Sequence, residues 1–136
     1  MLNDELKETL VQTAIAVRQW VYAPYSNYPV GAALLSKSGR IYDGVNIENA
    51  AYPMAICAER TAIFKAVSEG EREFEAIAVV TRDGGSPCGA CRQVLAEFGI
   101  ETVVLIAKES GEVVWETTVE ELLPGAFLPS NLQGDN

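Results

Sequence analysis

The stretch from Ala76 to Ala107 reads AIAVVTRDGGSPCGACRQVLAEFGIETVVLIA. At its ends are two short apolar runs, Ala76 to Thr81 and Thr102 to Ala107, whose β-branched content and length suit buried strands. Between them a Gly- and Pro-containing loop, Arg82 to Pro87, leads into a helical pattern over Gly89 to Phe98 that Gly99 stops. Strand, helix and strand in that order form a βαβ unit, so the two strands are predicted to be parallel and interior to a sheet. Working outward, Glu109 to Glu112 turns the chain, and Val113 to Trp115 is predicted to pair antiparallel on the edge. Thr118 with Glu121 matches a capping box for a short helix through Leu123, which Pro124-Gly125 ends. Pro129 to Asn136 reads as a frayed tail.

On the other side, Val30 to Leu35 and Ile41 to Val45 flank a Ser38-Gly39 turn and predict a β-hairpin. A helix is predicted from Cys57 to Ser68, with Ala58, Ala62 and Ala66 as a small-residue face and Gly70 at its end. Leu6, Leu10, Ala14, Val17 and Val21 recur at spacings of four and three behind Asn3, a helix N-cap with Asp4 and Glu5 in the first turn. This amphipathic helix is expected to end near Ala23 and Pro24. The fold class is therefore α/β, a three-layer α/β/α arrangement around a mixed sheet of about five strands. Residues 1–136 are expected to form one domain, of a size that supports a single core without disulfides.

Composition excludes several classes of function. Ten basic against nineteen acidic residues give a net charge of -9, which repels phosphate backbones and anionic membranes. The longest apolar runs fall far short of the roughly 20 residues that span a bilayer, and Asp4 and Glu5 do not suit a signal peptide. Neither nucleic acid nor membrane is expected as a partner. There is no histidine, so a Ser-His-Asp triad, a Cys-His nucleophile pair and a His-ligated metal are all impossible. The cysteines number three, which argues against a disulfide framework and for a reducing, cytoplasmic setting in which thiols react or bind metal.

Two of them lie in Pro87-Cys88-Gly89-Ala90-Cys91 and the third in Cys57-Ala58-Glu59, each fragment opening a helix. Unpaired N–H groups and the helix dipole favour a thiolate there. Cys-x-x-Cys by itself suits either a thioredoxin-like redox pair or two ligands to one ion. If metal is bound, Cys57 is the remaining thiol for a third ligand. Structural zinc usually takes four Cys or His ligands, whereas three leave a position open, the mark of a catalytic ion. Glu59 would then stand in the first helical turn as the general base. Three thiolates on a divalent cation leave a formal charge of -1, which Arg60 could offset by hydrogen bonds to sulfur.

These fragments, together with Tyr22-Ala23-Pro24-Tyr25-Ser26, Val30-Gly31-Ala32, Asn46-Ile47-Glu48-Asn49-Ala50-Ala51-Tyr52, Arg92-Gln93 and Leu122-Leu123-Pro124-Gly125-Ala126-Phe127, resemble the small, homotetrameric, three-cysteine zinc-dependent cytidine deaminases. The resemblance covers roughly Tyr22 to Phe127. It implies the cytidine-deaminase-like fold, one zinc ion per subunit on Cys57, Cys88 and Cys91, and proton transfer by Glu59. It further implies that Asn46 and Glu48 bind ribose hydroxyls and that the Ala58 backbone meets the pyrimidine edge. Tyr28 stands where the family generally has a phenylalanine stacking on the base; the aromatic face is kept and a hydroxyl is added. Tyr52 and Phe127 correspond to aromatics at subunit boundaries, Phe127 covering the ligand of a neighbouring subunit. The implied reaction is hydrolytic deamination of cytidine and deoxycytidine in pyrimidine salvage. The alternative is the same chemistry on another small cytosine nucleoside, such as a nucleoside antibiotic.

Overall fold

The computed structural model describes residues 2–133. Helix α1, Asp4–Val17, begins where the Asn3 side chain accepts the Leu6 N–H at 2.8 Å, the predicted cap. Leu10, Val11 and Ala14 are its buried stripe. Instead of continuing to Ala23 and Pro24, the chain tightens after Val17 into one 3₁₀ turn, Arg18–Trp20, and Val21 is already extended. The reason is non-local: the Tyr22 N–H donates to the Asn46 carbonyl at 3.2 Å and the Tyr22 carbonyl accepts the Glu48 N–H at 2.8 Å. Those bonds replace a further helical turn and lay residues 22–28 beside residues 46–48.

Strands β1 (Gly31–Ser36) and β2 (Ile41–Val45) form the expected antiparallel hairpin. Strands β3 (Phe74–Thr81) and β4 (Val103–Lys108) pair in parallel around helix α3 (Gly89–Phe98), as the βαβ reading requires. Strand β5 (Val113–Thr118) pairs antiparallel with β4, so the sheet order is β2-β1-β3-β4-β5. Side chains alternate between its faces. Ala33, Leu35, Ala76, Ala78, Val80 and Leu105 pack under α1. Ala32, Leu34, Ile77, Val79, Val104 and Ile106 pack against α3 and helix α2 (Ala58–Ser68), giving the three layers.

Two glycines set how closely the layers approach. A Cβ on Gly31 would lie 1.9 Å from the Ala14 carbonyl oxygen. One on Gly44 would lie 2.6 Å from the Ala62 nitrogen and 2.7 Å from the Ala58 oxygen, so α2 reaches β2 only across a glycine. Helix α4 (Val119–Leu122) has half of the expected capping box. Thr118 Oγ1 accepts the Glu121 N–H at 3.3 Å, but the Glu121 carboxylate turns to the Thr117 hydroxyl at 2.6 Å. The expected frayed tail is corrected in its first part. Pro129–Gln133 forms helix α5, with Asn131 Oδ1 accepting the Leu128 N–H at 2.7 Å and Leu128 packed on the core. Residues 134–136 lie outside the described range. Among the described residues no helix is long and apolar enough to cross a membrane.

Candidate active site

Cys57 and Cys88 occupy the N-cap positions of α2 and α3, both with extended backbone, one residue earlier than a helix starting at Cys57 would place it. Each carbonyl accepts the first intrahelical bond, from the Thr61 and Arg92 N–H groups at 3.0 Å. Neither side chain caps its helix, which leaves both sulfurs free to face each other. The two helix starts converge with Cys91, in the first turn of α3. Cys57 Sγ is 3.7 Å from Cys88 Sγ, and Cys88 Sγ is 3.5 Å from Cys91 Sγ. All three sulfurs lie within 4.8 Å of one another.

These separations decide between the two readings of Cys-x-x-Cys. A zinc–sulfur bond of about 2.3 Å in tetrahedral geometry places ligand sulfurs about 3.8 Å apart. A disulfide needs about 2.05 Å and engages two sulfurs only. Three sulfurs at near-ligand spacing, with no histidine in the chain, fit zinc.

The charges around the sulfurs are arranged for thiolate. Arg60 Nη2 donates to Cys57 Sγ at 3.2 Å. Contact with Cys91, then with Arg60 and Cys88, pushes the Cys57 thiol down to about 5 against the opposing effect of burial. Cys91 moves the opposite way, above the ordinary thiol range, because Cys57 beside it holds the negative charge and because it is buried. The thiolates in turn hold the Arg60 guanidinium more firmly protonated, Cys57 foremost. Arg60 Nε is buried with no partner, a donor still free beside the sulfurs.

Glu59 is 4% exposed. Burial pushes its carboxyl up to about 7, with Cys57 adding to the rise and its own backbone N–H and Arg60 opposing it. A carboxyl that titrates near neutrality beside a metal site can both accept and return a proton.

Above these groups opens a cavity of about 660 Å³. Its walls include Tyr28, Asn46, Glu48, Tyr52, Ala58 and Arg60, and its floor Cys57, Glu59 and Cys88. Asn46 spans two backbone groups, its Oδ1 accepting the Val30 N–H at 2.8 Å and its Nδ2 donating to the Tyr28 carbonyl at 2.9 Å. The Glu48 carboxylate accepts the Tyr25 N–H at 2.9 Å, the Ser26 N–H at 3.1 Å and the Ser26 hydroxyl, which together lower its pKa. Both side chains are thus rigidly held, and each retains hydrogen-bonding capacity. Tyr52 is exposed and meets Tyr25 edge-on with ring centroids 6.0 Å apart. Phe127 stands off the cavity wall, 57% exposed, its carbonyl held by the Gln93 amide at 2.9 Å.

The chain matches the model of the cytidine and deoxycytidylate deaminase zinc-binding region over residues 4–107. It belongs to the cytidine and deoxycytidylate deaminase family. The cytidine deaminase of Sporosarcina psychrophila is 54% identical over 128 residues, covering 92% of this chain and 93% of that protein. That of Halalkalibacterium halodurans is 50% identical over 129 residues, covering 93% and 97%. Among solved structures, cytidine deaminase from Burkholderia pseudomallei superposes with a TM-score of 0.84 at 44% identity, over 93% of this chain and 100% of that one. The deaminase resemblance, the α/β fold with its five-stranded mixed sheet and a zinc-binding centre are thereby borne out.

Sequence reasoning missed the residues that brace this deaminase site. Arg92 donates from Nε to the Pro87 carbonyl at 2.8 Å, from Nη1 to the Leu122 carbonyl at 2.7 Å and from Nη2 to Ser86 Oγ at 3.0 Å. It ties the loop before Cys88 to the end of α4. Its place after Cys91 was visible, but its partner at Leu122 is set by the fold alone.

Proposed function

We propose that the protein catalyses zinc-dependent hydrolytic deamination of cytidine and deoxycytidine to uridine and deoxyuridine with release of ammonia, in pyrimidine salvage. The observation that carries this reading is the set of three sulfurs at zinc spacing on the floor of a cavity, with the buried Glu59 carboxyl beside them. Cys57, Cys88 and Cys91 would hold the zinc ion, which would supply Lewis-acid activation of water.

Glu59 moves the protons. It takes one from the water whose oxygen adds to C4 of the cytosine and places it on N3. It then takes the proton remaining on that oxygen and gives it to the C4 amino nitrogen, so that the C–N bond breaks and ammonia leaves. N3 keeps its proton, as uridine requires. Arg60 offsets the formal -1 charge of three thiolates around a divalent ion, and its guanidinium is well suited because it keeps its proton. Asn46 and Glu48 accept or donate to ribose hydroxyls, the Ala58 backbone meets the pyrimidine edge, and the Tyr28 ring supplies a stacking face.

We assign residues 1–136 to one deaminase domain, because β1 to β4 all contribute to the two cores that share the sheet and β5 pairs along β4. The exposure of Tyr52 at 72%, Met54 at 67% and Phe127 at 57% supports a closed homotetramer in which Phe127 covers a neighbouring subunit's ligand and Tyr52 lies at the boundary. Three free thiols at ligand spacing support a reducing, cytoplasmic setting.

The test is zinc analysis with ultraviolet assays of cytidine, deoxycytidine and an aminoacylated cytosine nucleoside, before and after metal removal. Zinc-dependent loss of cytidine absorbance is expected. Turnover of the aminoacylated nucleoside alone would favour the antibiotic reading, and zinc without turnover of any cytosine compound would refute both.

A further inference from the structure

Tyr28 carries a polar group into a wall that stacking alone would leave apolar, and its hydroxyl has a specific partner. It donates to Asp83 Oδ1 at 2.6 Å, across 55 positions of sequence. Burial pushes the phenol up and so keeps it a donor, while its bond is the largest cause lowering the Asp83 carboxyl. Asp83 also accepts the Thr81 hydroxyl at 3.2 Å, and Thr81 Oγ1 accepts the Gly84 and Gly85 N–H groups at 2.8 Å each. The turn after β3 is thus closed on itself around the end of the tyrosine. Gly85 leaves room for it, since a Cβ there would lie 2.8 Å from the hydroxyl oxygen.

A second contact holds the ring. The Arg82 guanidinium carbon stands 4.9 Å from the ring centroid, over one face, and Arg82 Nη1 donates to the Asn27 carbonyl at 3.1 Å. Arg82 is not part of the cavity wall, whereas Tyr28 is. One face of the ring is therefore covered by the cation and its edge is tied by the hydroxyl, which leaves the cavity side for a ligand.

The geometry points to Asp83 as a positioning residue for base recognition: through the Tyr28 hydroxyl it orients the ring on which the pyrimidine stacks and joins that ring to the 81–88 loop ending in Cys88. This rests on the nucleoside-deaminase reading. A ring held only by packing can rock about its side-chain torsions, and each orientation lost on binding weakens affinity. A charge-assisted hydrogen bond removes that freedom beforehand. The stacking plane and the loop that bears a zinc ligand then keep one relative geometry.

The experiment compares zinc-loaded wild type with Tyr28→Phe, Asp83→Ala, Asp83→Asn and the double variant Tyr28→Phe/Asp83→Ala. It measures kcat and KM for cytidine, and the Kd of uridine by calorimetry. Tyr28→Phe and Asp83→Ala should each raise KM and Kd by about three- to ten-fold, with a smaller change in kcat. The double variant should be no worse than either single one, because both remove the same bond. Asp83→Asn keeps an acceptor oxygen and should restore most of the affinity. Unchanged KM and Kd in both single variants would overturn the role of Asp83, as would additive losses or an Asp83→Ala defect that Asn fails to rescue. A zinc-loaded wild type that does not turn over cytidine overturns the deaminase reading instead, and the two failures are told apart by that control.

Discussion

Glu59→Gln separates burial of the carboxyl from its proton transfer. Gln has nearly the same shape, so the cavity floor is kept while the titrating proton is removed. Burial raises the Glu59 carboxyl from its ordinary 4.5 to about 7, a displacement worth about 3 kcal/mol at 1.36 kcal/mol per pH unit. Because the folded chain holds this proton more tightly than the unfolded chain, its stabilising effect is complete below pH 4.5 and is lost as pH rises through 7. The comparison is made on the reduced, metal-stripped proteins after circular dichroism has shown both to be folded. Urea unfolding of both proteins at pH 5.5 and pH 8 should show the variant gaining about 2 kcal/mol on wild type over that interval. Cys57 and Cys91 titrate in both proteins and interact with Glu59, so the interval measured includes the change that losing the Glu59 charge makes to the two thiols. In the zinc-loaded protein the same substitution should keep the metal but lower kcat by about 10²–10⁴, the usual range for losing a general acid–base. Parallel stability profiles would refute the buried neutral carboxyl, and near-normal turnover with full zinc would refute proton transfer by Glu59.

Cys88→Ala should release zinc, measured as metal per chain after dialysis, since two remaining thiolates without a histidine make a poor site; stoichiometric retention would contradict the ligand set. Arg60→Gln removes the donor 3.2 Å from Cys57 Sγ and should both weaken zinc retention under chelator and move the acidic limb of the pH–rate profile upward. An unaltered limb with equal zinc content would leave the helix N-termini sufficient to balance the thiolates. Phe127→Ala should raise KM by about two- to ten-fold with zinc content preserved, and sedimentation should show a tetramer in the wild type; an active wild-type monomer of normal affinity would contradict a shared pocket. Gly44→Ala forces a methyl to within 2.6 Å of the α2 backbone and should cost about 1–3 kcal/mol in urea unfolding. No loss would mean that α2 can move away from β2 freely.

Local sequence determined the elements and the chemistry. The continuous apolar runs of β1, β3 and β4, buried on both faces, the Asn3 cap and the helix stops at Gly70 and Gly99 are short-range effects of side-chain pattern and backbone freedom, and they were legible in the sequence. So was the ligand set, because a chain with three cysteines and no histidine has few ways to hold zinc. The end of α1 was not, because the Tyr22 bonds to residues 46–48 that stop it depend on segments distant in sequence. The same holds for the bracing of the site. Which carbonyls Arg92 reaches, that Asn46 ties residues 28 and 30, and that the Tyr28 hydroxyl meets Asp83 are all decided by how α2, α3 and the 22–28 segment meet at one end of the sheet. Nor could spacing alone place Glu59 at a titration point near 7, since that comes from desolvation by neighbours brought from other elements. Residue identity specified which groups could react; only packing set their separations, their solvent exposure and hence their protonation.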